Sequence, residues 1–317
     1  LKFLQAYLSC RAGAWLLAGA AGWLLAAGSA RAQLVYADNF DYPDGELVGA
    51  ANSPWEVNYP PADGARVASR RLLLTDARQE SVRVNFASSY SSGFLYARLT
   101  VNFSALPSGD GNYFAFYRGN NADNLRGRIW ASTNGAAPGK FRLGITTLQS
   151  PASLIAKDLD LGTDYTVVTR YEVKNSSCTL WIDPAGEDDA TARVDYPADA
   201  TGWSISQFGF LQTAYYQAGT GNYVGTLTVD DLRIGRTFAD LQPPPRFTAI
   251  TNAPDGTIHL RAVGRVTTSH VLQASTDPQS GNWLNLSTNI AGAGGLLELT
   301  DPDPATLPAR FYRLIVP

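Results

Sequence analysis

Nine short runs between residues 81 and 235 constrain the fold of this chain more than any other feature. They read SVRVNFAS (81–88), FLYARLTVNF (94–103), YFAFYRG (113–119), GRIWAST (127–133), KFRLGITT (140–147), DYTVVTRYEV (164–173), SCTLWID (177–183), SQFGFLQ (206–212) and GTLTVDDLRIG (225–235). They are rich in β-branched and aromatic residues, and no long helical-period pattern interrupts the series. Alternation within them puts one face on a core and the other in water, as in antiparallel sheets. Tyr165, Val167, Thr169, Tyr171 and Val173 share one such face. In the last run, strict alternation sets Leu227, Val229, Asp231 and Arg233 on one side and Thr228, Asp230, Leu232 and Ile234 on the other. Between the runs lie SGDGN (108–112), NGAAPG (134–139) and AGTGN (218–222), where Gly, Asn and Pro permit the backbone angles of turns.

The first 32 residues differ in kind. Lys2 and Arg11 precede an uncharged stretch from Ala12 to Ala27, and Ala30-Arg31-Ala32 fits a small-residue cleavage site before Gln33. The apolar stretch falls short of the roughly 20 residues that a membrane span needs. A signal peptide over 1–32 is therefore expected, with a secreted, periplasmic or cell-surface product and no membrane span after processing. Its removal leaves 22 basic and 28 acidic residues, a net charge of −6. That balance argues against a nucleic-acid partner, whose phosphates need a basic surface. Cys10 leaves with the segment, so Cys178 is the only cysteine of the expected mature chain, and its apolar setting suits a small core residue.

Gln242-Pro243-Pro244-Pro245 reads as a stiff spacer. Beyond it FTAITN, TIHLRAVG, SHVLQAST, WLNLST, LLELTD and FYRLIV suit a second, smaller sandwich. The expected organisation is an all-β chain with a signal helix at 1–32, a large antiparallel jelly-roll domain at 33–242, a proline linker at 243–245 and a small immunoglobulin- or fibronectin-like sandwich at 246–317.

Two segments at the ends of the large block carry a family likeness. Ala37-Asp38-Asn39-Phe40-Asp41-Tyr42-Pro43-Asp44-Gly45 resembles the first strand, and Thr228-Val229-Asp230-Asp231-Leu232-Arg233-Ile234-Gly235 the last, of the concanavalin A-like lectin and glucanase superfamily, including its laminin-G-like modules. The resemblance implies a jelly roll whose terminal strands pair in one sheet. The C-terminal block, with His270-Val271-Leu272-Gln273-Ala274-Ser275-Thr276-Asp277, Trp283 and Arg310-Phe311-Tyr312-Arg313-Leu314, resembles a module at the ends of secreted proteins in Verrucomicrobia-like bacteria.

The chemistry of such a fold is partly missing. Hydrolases of the superfamily carry E-x-D-x-E or E-x-D-x-x-E on one strand, where two carboxylates attack and protonate a glycosidic bond. Glu46, Glu56, Glu80, Glu172 and Glu187 lack those neighbours, and Glu187-Asp188-Asp189 reads as a solvated turn. A serine triad needs a histidine. His259 and His270 both fall in the small C-terminal block, and their spacing suits neither a triad nor zinc. The resemblance implies a structural calcium on Asp230, with Asp38 and Asp41 available near the first strand; the bland alternative is that Asp230 or Asp231 caps a strand edge or pairs with Arg233. No other cofactor is expected. Sugar binding calls for aromatic faces with amides and carboxylates. The candidates are Asp110, Asn112, Tyr113, Tyr117, Arg118, Asn120, Asn121, Arg126, Trp130, Tyr215, Tyr216 and Tyr223. Arg118, Arg126 and Arg128 instead suit acidic groups of a uronate or sulfated glycan, while aromatics such as Trp130, Trp181 and Trp203 in a sandwich mostly fill the core. The function expected is a secreted, non-catalytic carbohydrate-binding or adhesion protein with a polysaccharide or glycoconjugate partner. A glycosidase or polysaccharide lyase with a dispersed site and a structural cell-envelope protein are the alternatives.

Overall fold

The computed structural model describes residues 34–59, 64–78, 81–119, 125–147, 152–198, 202–212, 221–243, 245–264, 268–279, 281–292, 295–302 and 310–316. The signal-peptide expectation at 1–32 lies outside them. The described chain is all β apart from turns such as the 3-10 turn at Phe238–Leu241, and it divides into two compact units at Leu241 and Gln242. No helix among the described residues is long and apolar enough to cross a membrane.

The first unit is a jelly-roll sandwich of two antiparallel sheets. One has nine strands. In spatial order they are β14 (Arg193–Tyr196), β13 (Cys178–Ile182), β12 (Asp164–Glu172), β7 (Phe94–Ala105), β16 (Thr226–Gly235), β5 (Arg71–Thr75), β4 (Arg66–Ala68) and β2 (Gly45–Glu46), with β1 (Leu34–Asp38) also paired to β16. The other has seven: β11 (Ser153–Leu154), β10 (Arg142–Thr146), β9 (Leu125–Ser132), β8 (Asn112–Arg118), β15 (Ile205–Leu211), β6 (Ser81–Tyr90) and β3 (Glu56–Tyr59). The first and last strands of the unit meet, with Asp38 opposite Leu232, as the family likeness implies.

The inner faces of both sheets supply one core. Phe103 on β7 meets Phe114 on β8 edge-to-face with centroids 5.9 Å apart, and Tyr171 on β12 stacks on Tyr117 of β8 at 5.6 Å. Cys178 lies in this core as a small apolar filler. Each sheet also carries an apolar cluster on its outer face. Tyr113, Phe116, Trp130 and Leu211 form one on the seven-stranded sheet; Tyr96, Val168, Trp181 and Leu241 form the other on the nine-stranded sheet. Trp130 and Trp181 are thus buried, but outside the main core, and Trp203 is not core at all: it is 40% exposed.

β16 departs from the strict alternation expected of it. Its pairing with β7 shifts between Asp230 and Arg233, and Asp231 takes a left-handed φ of 50°. Leu227, Val229, Leu232 and Ile234 consequently all face the core. Without the extra residue, Leu232 and Ile234 would turn to water, forfeiting roughly 1.5–3 kcal/mol of burial each. A bulge reverses the parity and keeps both pairs inside.

The second unit packs two three-stranded sheets. These are β17 (Arg246–Asn252)–β18 (Ile258–Val263)–β21 (Leu296–Asp301) and β20 (Leu284–Ile290)–β19 (Ser269–Ser275)–β22 (Phe311–Ile315). Ile258, Leu260, Leu272, Leu297, Leu299 and Tyr312 fill the space between them. Asp301 is buried there, accepting from Tyr312 at 2.8 Å and pairing with Arg310 at 3.0 Å. His259 stands on β18 and His270 on β19, and the buried His270 ring places Nδ1 2.8 Å from the Thr268 carbonyl. Both are strand residues.

Candidate functional site

The outer face of the seven-stranded sheet gathers the most distinctive side chains. Facing pairs in an antiparallel sheet share a side, so the register maps this face directly. Arg83 lies opposite Gly209, which lies opposite the outward Phe116; one step along, Asn85 lies opposite Gln207 and Gln207 opposite Arg118. The absent side chain of Gly209 leaves room for the Phe116 ring, since a Cβ there would stand 2.5 Å from it. The second row is a polar relay across three strands. Arg118 donates through Nη1 to the Gln207 Oε1, and Gln207 Nε2 donates to the Asn85 Oδ1 at 2.7 Å. Arg118 is only 6% exposed, so the relay fixes a buried guanidinium in orientation.

β9 contributes the neighbouring group. Trp130 pairs with Tyr113, and the Arg128 guanidinium lies over the Tyr113 ring, 4.8 Å from its centroid, in cation–π geometry. Gly127, with φ of 52°, carries the irregular register between β8 and β9; a Cβ there would meet the Tyr117 ring at 2.9 Å. Arg126 is buried to 2% exposure, and its Nη1 donates to the Leu125 carbonyl at 3.3 Å. The Nε atoms of Arg83, Arg126 and Arg128 and the Nε1 of Trp130 are buried without a hydrogen-bond partner among the described residues.

The other expected sugar-binding residues scatter. Asn120, Asn121, Tyr215 and Tyr216 lie outside the described residues. Tyr117 is fully buried in the main core, its hydroxyl 3.2 Å from Thr169 Oγ1, so packing rather than ligand contact accounts for it. Burial in that apolar setting drives its phenol pKa far upward. Asp110, Asn112 and Tyr223 belong to one end of the sandwich. There Asn222 Oδ1 accepts from the Asp110 backbone N–H at 2.9 Å, and Ser108 bridges to Tyr223 through the backbone. Asn134 Nδ2 reaches Asp110 Oδ1 at 3.3 Å. This is a polar loop junction knitted by its own bonds. Sequence reasoning missed Arg83, Asn85 and Gln207. Their signal is visible only as outward positions of β6 and β15, strands separated by more than 100 residues.

The three carboxylates expected at a calcium do not assemble. Asp38 accepts from the hydroxyls of Tyr36 and Tyr42 at 2.9 and 2.7 Å, from Trp55 Nε1 at 2.8 Å and from the Phe40 N–H at 2.8 Å. Four donor hydrogens occupy the oxygens a cation would need. Burial, followed by the charge of and hydrogen bonds to Asp38, pushes both phenol pKa values upward. Asp41 faces Arg70 at 3.6 Å, and Asp230 stands 3.7 Å from Arg71 while its Oδ1 accepts from the Asp231 N–H at 2.7 Å. Burial raises the Asp230 pKa, with the charges of Asp231 and Asp41 acting in the same direction. No group of three potential ligands that could hold a metal ion occurs among the described residues. Glu187 lies in the turn expected of it and there accepts from Tyr96 at 2.7 Å and Arg170 at 3.0 Å, and the Tyr96 phenol is pushed up to about 12, chiefly by burial.

No protein-family model matches the chain, and no curated protein sequence matches it. Solved structures share its sandwich at low identity. An alginate lyase from Alteromonas sp. 272 is similar over 58% of this chain and 94% of its own, at 10% identity and a TM-score of 0.35. The exoplasmic/lumenal domain of VIP36, in a Ca2+- and mannose-bound form, is similar over 66% of this chain and 91% of its own, at 11% identity and a TM-score of 0.38. Lectin II from Ulex europaeus covers 57% of this chain and 91% of its own, at 14% identity and a TM-score of 0.35. At these values the likeness concerns the sandwich alone.

Proposed function

We propose that this is a secreted, non-catalytic carbohydrate-binding protein whose ligand lies along the outer face of the seven-stranded sheet. The observation that carries the reading is the Asn85–Gln207–Arg118 relay beside the Arg128–Tyr113–Trp130 group on a single face. Amides and guanidiniums set in fixed directions suit recognition of the oxygens that stud a sugar chain. Export rests on the residue pattern of 1–32 and makes external glycans the natural ligand class.

A glycosidase reading finds no second carboxylate on the described strands of this face. That reaction needs two carboxylates about 5–10 Å apart across the scissile bond. Glu56 is the one carboxylate that the seven strands contribute, and it pairs with Arg83 at 3.3 Å. The calcium that the family likeness implies fits poorly, because Asp38 is saturated with donors, and no step of this reading uses it.

A glycan array with the chain from residue 33 onward tests the reading. Binding should appear on at least one polysaccharide class. Replacing Gln207 with Ala, which removes the bridge of the relay, should weaken it about tenfold, the effect of losing roughly 1.4 kcal/mol. Arg66→Ala on the opposite sheet should leave binding unchanged. An array silent on every neutral and acidic glycan overturns the proposal.

A further inference from the structure

The charge and donor pattern of this face specify the ligand more narrowly, an inference that rests on the glycan reading above. We propose that the face recognises the carboxylate or sulfate groups of an acidic sugar chain, with Arg128 as its principal contact.

Charge segregation is the first support. The seven strands carry five arginines (Arg83, Arg118, Arg126, Arg128 and Arg142) against the single Glu56, in a chain with more acids than bases. Two of the five are neutralised inside the protein: Arg83 by Glu56 at 3.3 Å and Arg142 by Asp158 at 2.7 Å. Arg128 has no such partner among the described residues; an aromatic ring lies beneath its guanidinium instead. Stacking holds the plane of the half-buried guanidinium; its Nε is covered, and the Nη groups are what it offers a ligand.

Donors unpaired among the described residues are the second support. Arg128 Nε and Trp130 Nε1 stand two residues apart on β9, at positions that alternation turns to the same side. Trp130 is only 8% exposed, so water satisfies its N–H poorly. A buried donor left unpaired costs about 1–3 kcal/mol, so the two mark a face that donates more than it accepts.

The third support is the sign of the hydrogen bonding. Arginine and the tryptophan indole only donate, whereas a sugar hydroxyl both donates and accepts. Such donors leave half of a neutral sugar's hydrogen-bonding capacity unanswered. Carboxylate and sulfate accept only, and they match a planar guanidinium fork two bonds at a time.

Affinity electrophoresis and calorimetry with the chain from residue 33 onward, using polygalacturonate, dextran sulfate, neutral dextran and single-stranded DNA, test the proposal. We expect at least about tenfold preference for one or both acidic polysaccharides over dextran. Binding of polygalacturonate alone identifies carboxylate as the recognised group, and binding of dextran sulfate alone identifies sulfate. Arg128→Gln should weaken acidic binding about tenfold and flatten its salt dependence, and Arg128→Lys, which keeps charge but loses the fork, should fall between. Equal or stronger binding of dextran overturns the inference while leaving the glycan reading intact. No binding to any polysaccharide overturns both. DNA binding as strong as polysaccharide binding and indifferent to Arg128→Gln reveals unspecific charge attraction and also overturns the inference. The preferences of the unmutated chain decide the matter even where a variant fails to fold.

Discussion

The two sheets of the large sandwich surround their arginines differently. The nine-stranded sheet carries six arginines and seven carboxylates on its strands. Its pairs close within the protein: Arg71 with Asp164 at 2.9 Å, Arg193 with Asp195 at 2.9 Å and Arg66 with Glu46 at 3.6 Å. Arg170 adds Glu187 at 3.0 Å while lying against Phe94 and Trp181. The seven-stranded sheet holds five arginines and one glutamate, and Arg128 faces a tyrosine ring instead of a carboxylate. What sets Arg128 apart is the ring beneath its guanidinium, where Arg71, Arg193, Arg66 and Arg170 meet carboxylates.

The strongest test of that contrast attacks what the sheets share. Phe103→Ala and Phe114→Ala each remove a fully buried ring from opposite sides of one contact, and each should destabilise the unit by about 3–5 kcal/mol in urea denaturation. Because the rings touch, the double variant should lose less than the sum. Additivity would mean that the sheets do not meet at this contact.

A smaller effect is expected at the end of the nine-stranded sheet. Asp38→Ala strands two hydroxyls and an indole N–H, so a loss of about 2–3 kcal/mol should appear as a lower urea midpoint. Chelator should leave the melting temperature unchanged, whereas a marked fall in chelator would restore the calcium expectation.

The smallest effect concerns pH. Hydrogen bonds from Arg71 and Asn102 pull Asp164 down to about 2 from 3.8. A carboxylate depressed in the folded state contributes stability that is complete above its unfolded pKa and is lost as pH falls through its folded one. The contribution should therefore fade between pH 3.8 and about 2, and its exposure holds it to under about 1 kcal/mol. Arg71→Gln should flatten stability across that window, while Arg128→Gln should not. An equal effect from both would erase the distinction between the sheets.

Much of the fold was legible because alternation is a local property. The nine runs and the six beyond the prolines all became strands, since branched and aromatic side chains every second residue bury one face whatever the partner. Arg118, Arg126 and Arg128 were legible as chemistry because their residue type alone announces charge. Tyr117 misled for the same reason: its type suits a sugar, but its position in β8 turns it against Tyr171 in the core. Asp38 misled because its donors come from Tyr36, Tyr42 and Trp55, which only the fold gathers.

The sequence by itself determined that this protein is built of antiparallel strands, with an acidic charge balance and its histidines confined to the C-terminal unit. Only the tertiary structure decided which strands lie side by side and hence which charges are cancelled. Arg71 and Asp164 are 93 residues apart, and Gln207 and Asn85 are 122 apart. A hydrogen bond or ion pair acts over a few ångströms of space, and no period in the chain records which distant strand will occupy that space. The bulge at Asp230 and Asp231 belongs to the same class, because it is the core that needs Leu227, Val229, Leu232 and Ile234 together.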